Sequence, residues 1–163
     1  MNYRFFSTPF GDGCFVWEKE TVSRVFLSSP GVSAELKMSR EYGSVDRAVS
    51  IFADGIAQKL AALATGVSVD VPLNTLDFEN VSAFSRKVFT TLMEVEKGTT
   101  VSYGELAEKA GFPGAARAVG RVLASNPFPL IIPCHRVVRS DGTYGSYQGG
   151  TEMKKYLLEN EIE

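Results

Sequence analysis

What most constrains this chain is a change of pattern along it. Three runs near the start, YRFFSTPFG, GCFVWEK and TVSRVFLSS, are rich in aromatic and β-branched residues and are separated by the turn formers of GDG and the polar EKE. Residues of that kind fit a pleated, half-buried surface, so these runs predict the strands of a small sheet. From residue 50 the pattern becomes helical. In SIFADGIAQKLAALATG, Phe52, Ile56, Leu60 and Leu63 recur at helical spacing, and Gly66 ends the run. Sheet and helix together predict an N-terminal lobe over residues 1–75, with a polar stretch between them.

The segment VPLNTLDFEN, with its proline and turn formers, reads as a connector, and a second lobe over residues 76–163 follows. Phe84, Val88 and Leu92 resume the helix period. In VSYGELAEKAGFPGAARAVGRVLASNP, Tyr103, Leu106, Ala107 and Ala110 share one helical face. Gly111 and Pro113 break it, and Ala116, Val119 and Leu123 restart it. Two short helices joined by a tight, glycine-bearing turn form a helix-turn-helix. The pattern alone leaves open whether the pair is a packing unit or reads DNA. The small residues of GAARAVG allow the second helix to approach another surface closely. Arg117 and Arg121, four apart, share a face and can meet phosphates or bases.

Composition narrows the class. With 163 residues, 44% hydrophobic and 22% charged, the chain can bury a core as one domain or two small lobes. MNYRFFSTPFGDG lacks the apolar run of a signal peptide, and no stretch approaches the roughly 20 apolar residues of a membrane helix, so a cytoplasmic location is expected. A reducing compartment keeps Cys14 and Cys134 as thiols. One histidine and two cysteines are too few for a structural zinc site, and no metal or other cofactor is expected. The net charge of −2 is uninformative, but Lys109, Arg117, Arg121, Arg136 and Arg139 outnumber Glu105, Glu108 and Asp141 between residues 100 and 150. That half is locally basic.

Within NPFPLIIPCHRVV, Cys134 stands directly before the only histidine, His135. Consecutive side chains in a strand point to opposite faces, so the two cannot pair directly there. Either the backbone turns sharply at Pro133, or a water bridges thiol and imidazole. A histidine that must accept a proton works best when its other nitrogen is held by a carboxylate. Glu161 is the candidate. With Met153 and Leu157 it occupies one stripe of a final helix, so it points inward if that stripe is buried. Taken singly, each residue has an ordinary alternative: a core cysteine, a structural histidine, a solvated terminal glutamate.

IPCHRVV, preceded by SNPFPLI and followed by GSYQGG, closely resembles the active-site signature of the O6-alkylguanine-DNA alkyltransferases, with the likeness strongest over residues 80–161. The resemblance implies an α+β protein with a ribonuclease H-like N-terminal lobe and a mostly helical C-terminal lobe bearing a winged helix-turn-helix. It implies a monomer that repairs double-stranded DNA containing O6-alkylguanine, with O4-alkylthymine as a second candidate lesion, by irreversible transfer of the alkyl group to Cys134. By the same resemblance His135 is the base acting through water, Glu161 orients it, Asn126 braces the cysteine turn, and Tyr103 lies near the target base. Arg117 is the finger that replaces the extruded nucleotide, with Ala116, Arg121 and Arg136 at the DNA. Tyr147, Gly149 and Gly150 fall in the loop around the extruded base. Two departures stand out. Many members carry zinc in the N-terminal lobe, for which this chain lacks histidines, and some non-catalytic relatives replace the cysteine that this chain keeps. Two other classes remain to be separated: a damage sensor without chemistry and a cysteine hydrolase. Arg139 has no assigned role.

Overall fold

The structure is a computed structural model and describes residues 1–161; the last two residues of the expected second lobe lie outside it. It is a mixed α+β protein of two compact units, residues 1–77 with 127–131, and residues 78–126 with 132–163. Among the described residues no helix is long and apolar enough to cross a membrane.

In the first unit the aromatic and β-branched runs form β1 (Asn2–Phe6), β2 (Gly13–Glu18) and β3 (Thr21–Phe26). A two-residue strand, β4 (Asp46–Arg47), completes a sheet of order β3-β2-β1-β4, antiparallel except for the β1–β4 pair. Alternation along central β2 buries both of its faces. Cys14 and Val16 cluster with Phe26 and with Ala34 and Met38 of α1 (Ala34–Tyr42), while the Trp17 ring lies 6.1 Å from Phe52 of α2 (Ile51–Leu63). Helix α1 occupies what the sequence presents only as a polar stretch. Just two of its residues, Ala34 and Met38, are buried, so its apolar stripe is too thin to announce a helix. Ser33 caps it by accepting from the Leu36 amide, and Ser50 caps α2 in the same way. The detached segment 127–131 joins this unit through a hydrogen bond from the Val25 amide to the Pro127 carbonyl, 2.8 Å.

In the second unit α3 (Ala83–Leu92), α4 (Tyr103–Lys109) and α5 (Ala116–Ala124) pack on one another and bury Val88, Leu92, Leu106, Ala107, Val119 and Leu123, which recur at helical spacing, together with Phe89, while Phe84 is half-buried. Ser102 ends a short strand, β5 (Val101–Ser102), and caps α4 with its hydroxyl. β5 pairs in parallel with β6 (Val137–Val138), and beyond it Val138 bridges Tyr144 across a turn closed by the Arg139 amide on the Thr143 carbonyl. Helix α6 (Thr151–Asn160) follows. Every group described next belongs to this unit.

Candidate active site

The backbone turns at Pro133. Residues Cys134–Arg136 form a single 3-10 turn, with the Arg136 amide donating to the Pro133 carbonyl at 3.0 Å, before the chain enters β6. That turn, rather than a strand, carries the cysteine and the histidine, and both are buried. Asn126 braces it, donating from its amide to the Ile132 carbonyl at 3.1 Å and hydrogen-bonding the Cys134 thiol, which favours the thiolate.

His135 meets Glu161. Met153 and Leu157 of α6 and Glu161, which caps its C-terminal end, are all buried, and the imidazole Nε2–H donates to Glu161 Oε1 at 2.6 Å. His135 Nδ1 is buried and finds no hydrogen-bond partner among the described residues. It is therefore the nitrogen available to accept a proton. Burial lowers the affinity of the imidazole for a second proton and outweighs the opposing pull of Glu161. Burial acts on Glu161 in the opposite sense from its neighbours, but the hydrogen bonds and charges of His135 and Arg136 prevail and hold its carboxyl at about 2. The pair at neutral pH is thus neutral imidazole and ionised carboxylate.

Cys134 rests as a thiol. Burial pushes its pKa up, against the Asn126 hydrogen bond and the nearby charge of Lys154. A buried thiol that needs a base and a buried histidine that holds an open nitrogen are complementary.

The other expected residues are distributed around this centre. Tyr103, which shares a helical face with the buried Leu106, Ala107 and Ala110, is itself only half-buried. Burial raises its hydroxyl pKa, and the charge of Cys134 adds to the rise, so the two groups lie within electrostatic reach. The Tyr147 ring stands edge-on to His135, 6.2 Å between centroids, with its hydroxyl buried and lacking a partner among the described residues. Gly149 is buried, and Gly150 opens α6 with φ +93°, a conformation that side chains resist. On α5, Arg117 and Arg121 are exposed, and Ala116 is half-buried at the first turn.

Arg136 is engaged differently from the expected DNA contact. Its Nε and Nη2 donate to Glu161 Oε2 and Oε1, each at 3.1 Å, and Nη1 donates to the Val95 carbonyl at 2.8 Å. A guanidinium forked onto a buried carboxylate has no equivalent set of donors left for a phosphate.

The fold and the sequence are similar to those of known proteins. The model of the 6-O-methylguanine DNA methyltransferase DNA-binding domain matches residues 83–163. The crystal structure of Mycobacterium tuberculosis OGT in complex with DNA superposes with a TM-score of 0.81 at 31% identity, covering 99% of this chain and 93% of that one. The chain belongs to the 6-O-methylguanine DNA methyltransferase family. Among curated members, the methylated-DNA–protein-cysteine methyltransferase of Methanothermobacter thermautotrophicus is 47% identical over 96 residues, 59% of this chain and 53% of that protein. That of Mus musculus is 56% identical over 81 residues, 48% of this chain and 38% of that protein. The matched part of the chain thus spans about half or less of these curated relatives.

Sequence reasoning overlooked two members of this family site. Lys154 is fully buried, donates to the Val137 carbonyl at 2.6 Å and has its pKa lowered by burial to about 8. The phase of the α6 stripe could have found it, since Met153, Lys154, Leu157 and Glu161 share one face while Lys155 is exposed. Gly145 is the other. A Cβ there would collide with the Tyr103 hydroxyl, so any other residue would displace that ring. Arg139 is exposed in the turn after β6, and its charge bears on both Tyr103 and Lys154.

Proposed function

We propose that this protein reverses DNA alkylation directly, moving the alkyl group from O6 of guanine in a duplex to the Sγ of Cys134. The observation that carries the proposal is the buried thiol beside a histidine whose Nε2 is tied to Glu161 and whose Nδ1 is open. A water relays the thiol proton to His135 Nδ1. As the sulfur attacks, the S–C bond forms while the C–O6 bond breaks, and guanine leaves as its anion. The Tyr103 hydroxyl, donating to the base, stabilises the charge that develops there. The product is a thioether that water does not hydrolyse, so each molecule acts once.

The lesion hides its O6 within the stack and must be rotated out, at a cost of a few kcal/mol. Exposed Arg117 on α5 fills the gap, while Tyr147, Gly149 and Gly150 border the extruded base. Small residues at the start of α5 suit close approach along the minor groove, where binding is nearly independent of sequence. The β5–β6 pair with the bridge from Val138 to Tyr144 supports reading the second unit as a winged helix-turn-helix. Helices α1 and α2, packed against β2 and β1, support a ribonuclease H-like first lobe. A monomer in the cytoplasm, with both thiols reduced, fits this chemistry. A sensor without chemistry has no use for a nucleophilic cysteine, and beyond Cys134 and His135 the sequence carries no hydrolase signature.

A duplex carrying one O6-methylguanine tests the reading. Lesions repaired should equal protein molecules added, and repeated turnover by one molecule would exclude the proposal. In the same assay Arg117→Ala should slow duplex repair far more than reaction with the free base O6-benzylguanine, because a free base needs no rotation out of a stack. Equal losses on both substrates would make Arg117 a structural residue.

A further inference from the structure

We infer that Arg136 acts inside the protein as a positioning residue: by clamping Glu161 it balances that carboxylate and holds His135 as the neutral imidazole, with its proton on Nε2 and Nδ1 open. The inference rests on the alkyl-transfer reading above, which requires His135 to accept a proton.

The geometry is that of a locked fork. Two hydrogen bonds of 3.1 Å, one to each carboxylate oxygen, hold the guanidinium against Glu161, and a third, 2.8 Å to the Val95 carbonyl, anchors it just beyond α3. Glu161 Oε1 therefore takes donors from both His135 and Arg136, and its position is set from two sides. An exposed arginine tethered to DNA could not serve this purpose.

The charges around the imidazole explain why the clamp matters. His135 faces Lys154 from α6 and Glu161 just past its end, Arg136 from its own turn, and the Tyr147 ring from the loop before α6, with Cys134 preceding it in the turn. With Arg136 in place the carboxylate is already balanced, and Lys154 adds a further positive charge. A proton arriving on His135 would be a surplus cation in a buried space. Remove Arg136, and an unbalanced carboxylate 2.6 Å away stabilises the imidazolium instead. An imidazolium donates from both nitrogens and accepts at neither, so it cannot take the thiol proton.

The chain has a single histidine, so NMR of its ring nitrogens reads this site without overlap. In the wild-type protein at pH 7 the ring should be neutral with the proton on Nε2, and an imidazolium there would overturn the inference. Arg136→Met and Arg136→Gln should raise the proton affinity of His135 by about tenfold or more, one pH unit in its titration. Arg136→Lys, which keeps the charge, should shift it much less. Gln retains a donor, providing an uncharged variant if Met does not hold the fold. A folded uncharged variant with an unchanged titration, or a Lys variant that shifts as far as the others, would refute the role. The rate with free O6-benzylguanine should follow: uncharged variants lose up to about tenfold on the acid side of the profile and recover as pH rises, their acid limb moving with the titration. Because the NMR measurement needs no substrate, failure of alkyl transfer leaves it standing, and an unshifted histidine in an active protein refutes Arg136 alone.

Discussion

Incubated with a duplex carrying O6-methylguanine, the protein should gain one methyl group, about 14 Da, on the peptide containing Cys134 and none on the peptide containing Cys14. Both thiols are buried and both are harder to ionise than a free cysteine, so burial does not distinguish them. Their surroundings do. Cys14, on central β2, packs against the Met38 sulfur, and burial together with the charge of Glu35 pushes its thiol up to about 12. No base stands beside it in the chain. Cys134 has the Asn126 hydrogen bond and the Lys154 charge favouring its thiolate, and it precedes the histidine that the proposed mechanism uses as the base. Replacing Cys134 with Ser should abolish transfer altogether, since a hydroxyl is far weaker as a nucleophile at neutral pH, while DNA binding persists. Mass spectrometry of the two peptides decides the matter. A label on Cys14, or any label acquired by the Ser variant, would show that the turn after Pro133 is not the acceptor site.

The second large effect belongs to Glu161. Replacing it with Gln keeps the size of the side chain but removes the negative charge that holds the imidazole, and the transfer rate near pH 7 should fall by about tenfold or more. The loss should shrink as pH rises. Burial raises the pKa of Cys134, so the thiol is protonated at pH 7, and alkaline solution removes that proton without help from His135. The contribution of the base is therefore largest below the thiol pKa and fades above it. DNA binding should not change, because Glu161 is buried beneath the turn. Rates with free O6-benzylguanine at several pH values provide the measurement. A Gln variant that matches the wild-type rate at pH 7 would mean that the cysteine is activated some other way.

How much of this was legible beforehand depends on the kind of information each feature needs. The strands of the first unit and the helices of the second follow from local chemistry: β-branched and aromatic runs, and apolar residues at helical spacing. Helix α1 was not legible, because a mostly exposed helix carries little hydrophobic period. The pairing of His135 with Glu161 could be anticipated, since adjacency to Cys134 created the need and the α6 stripe offered one inward carboxylate. The clamp by Arg136 could not. Its partners lie 25 and 41 residues away along the chain, and nothing in the run PCHRVV distinguishes a guanidinium that turns inward from one that reaches solvent.

By itself, then, the sequence determined the change from strands to helices, the position of the main helices and the placing of a thiol next to the only histidine, because these depend on near neighbours and on periodicity. Tertiary structure decided the rest. It bent Cys134–Arg136 into a turn, placed Glu161 on His135, buried Lys154 while leaving Lys155 in solvent, and joined residues 127–131 to the first unit. The physical reason is that charge state and hydrogen bonding depend on distance in space and on exclusion of water, and neither is a property of any short stretch of chain.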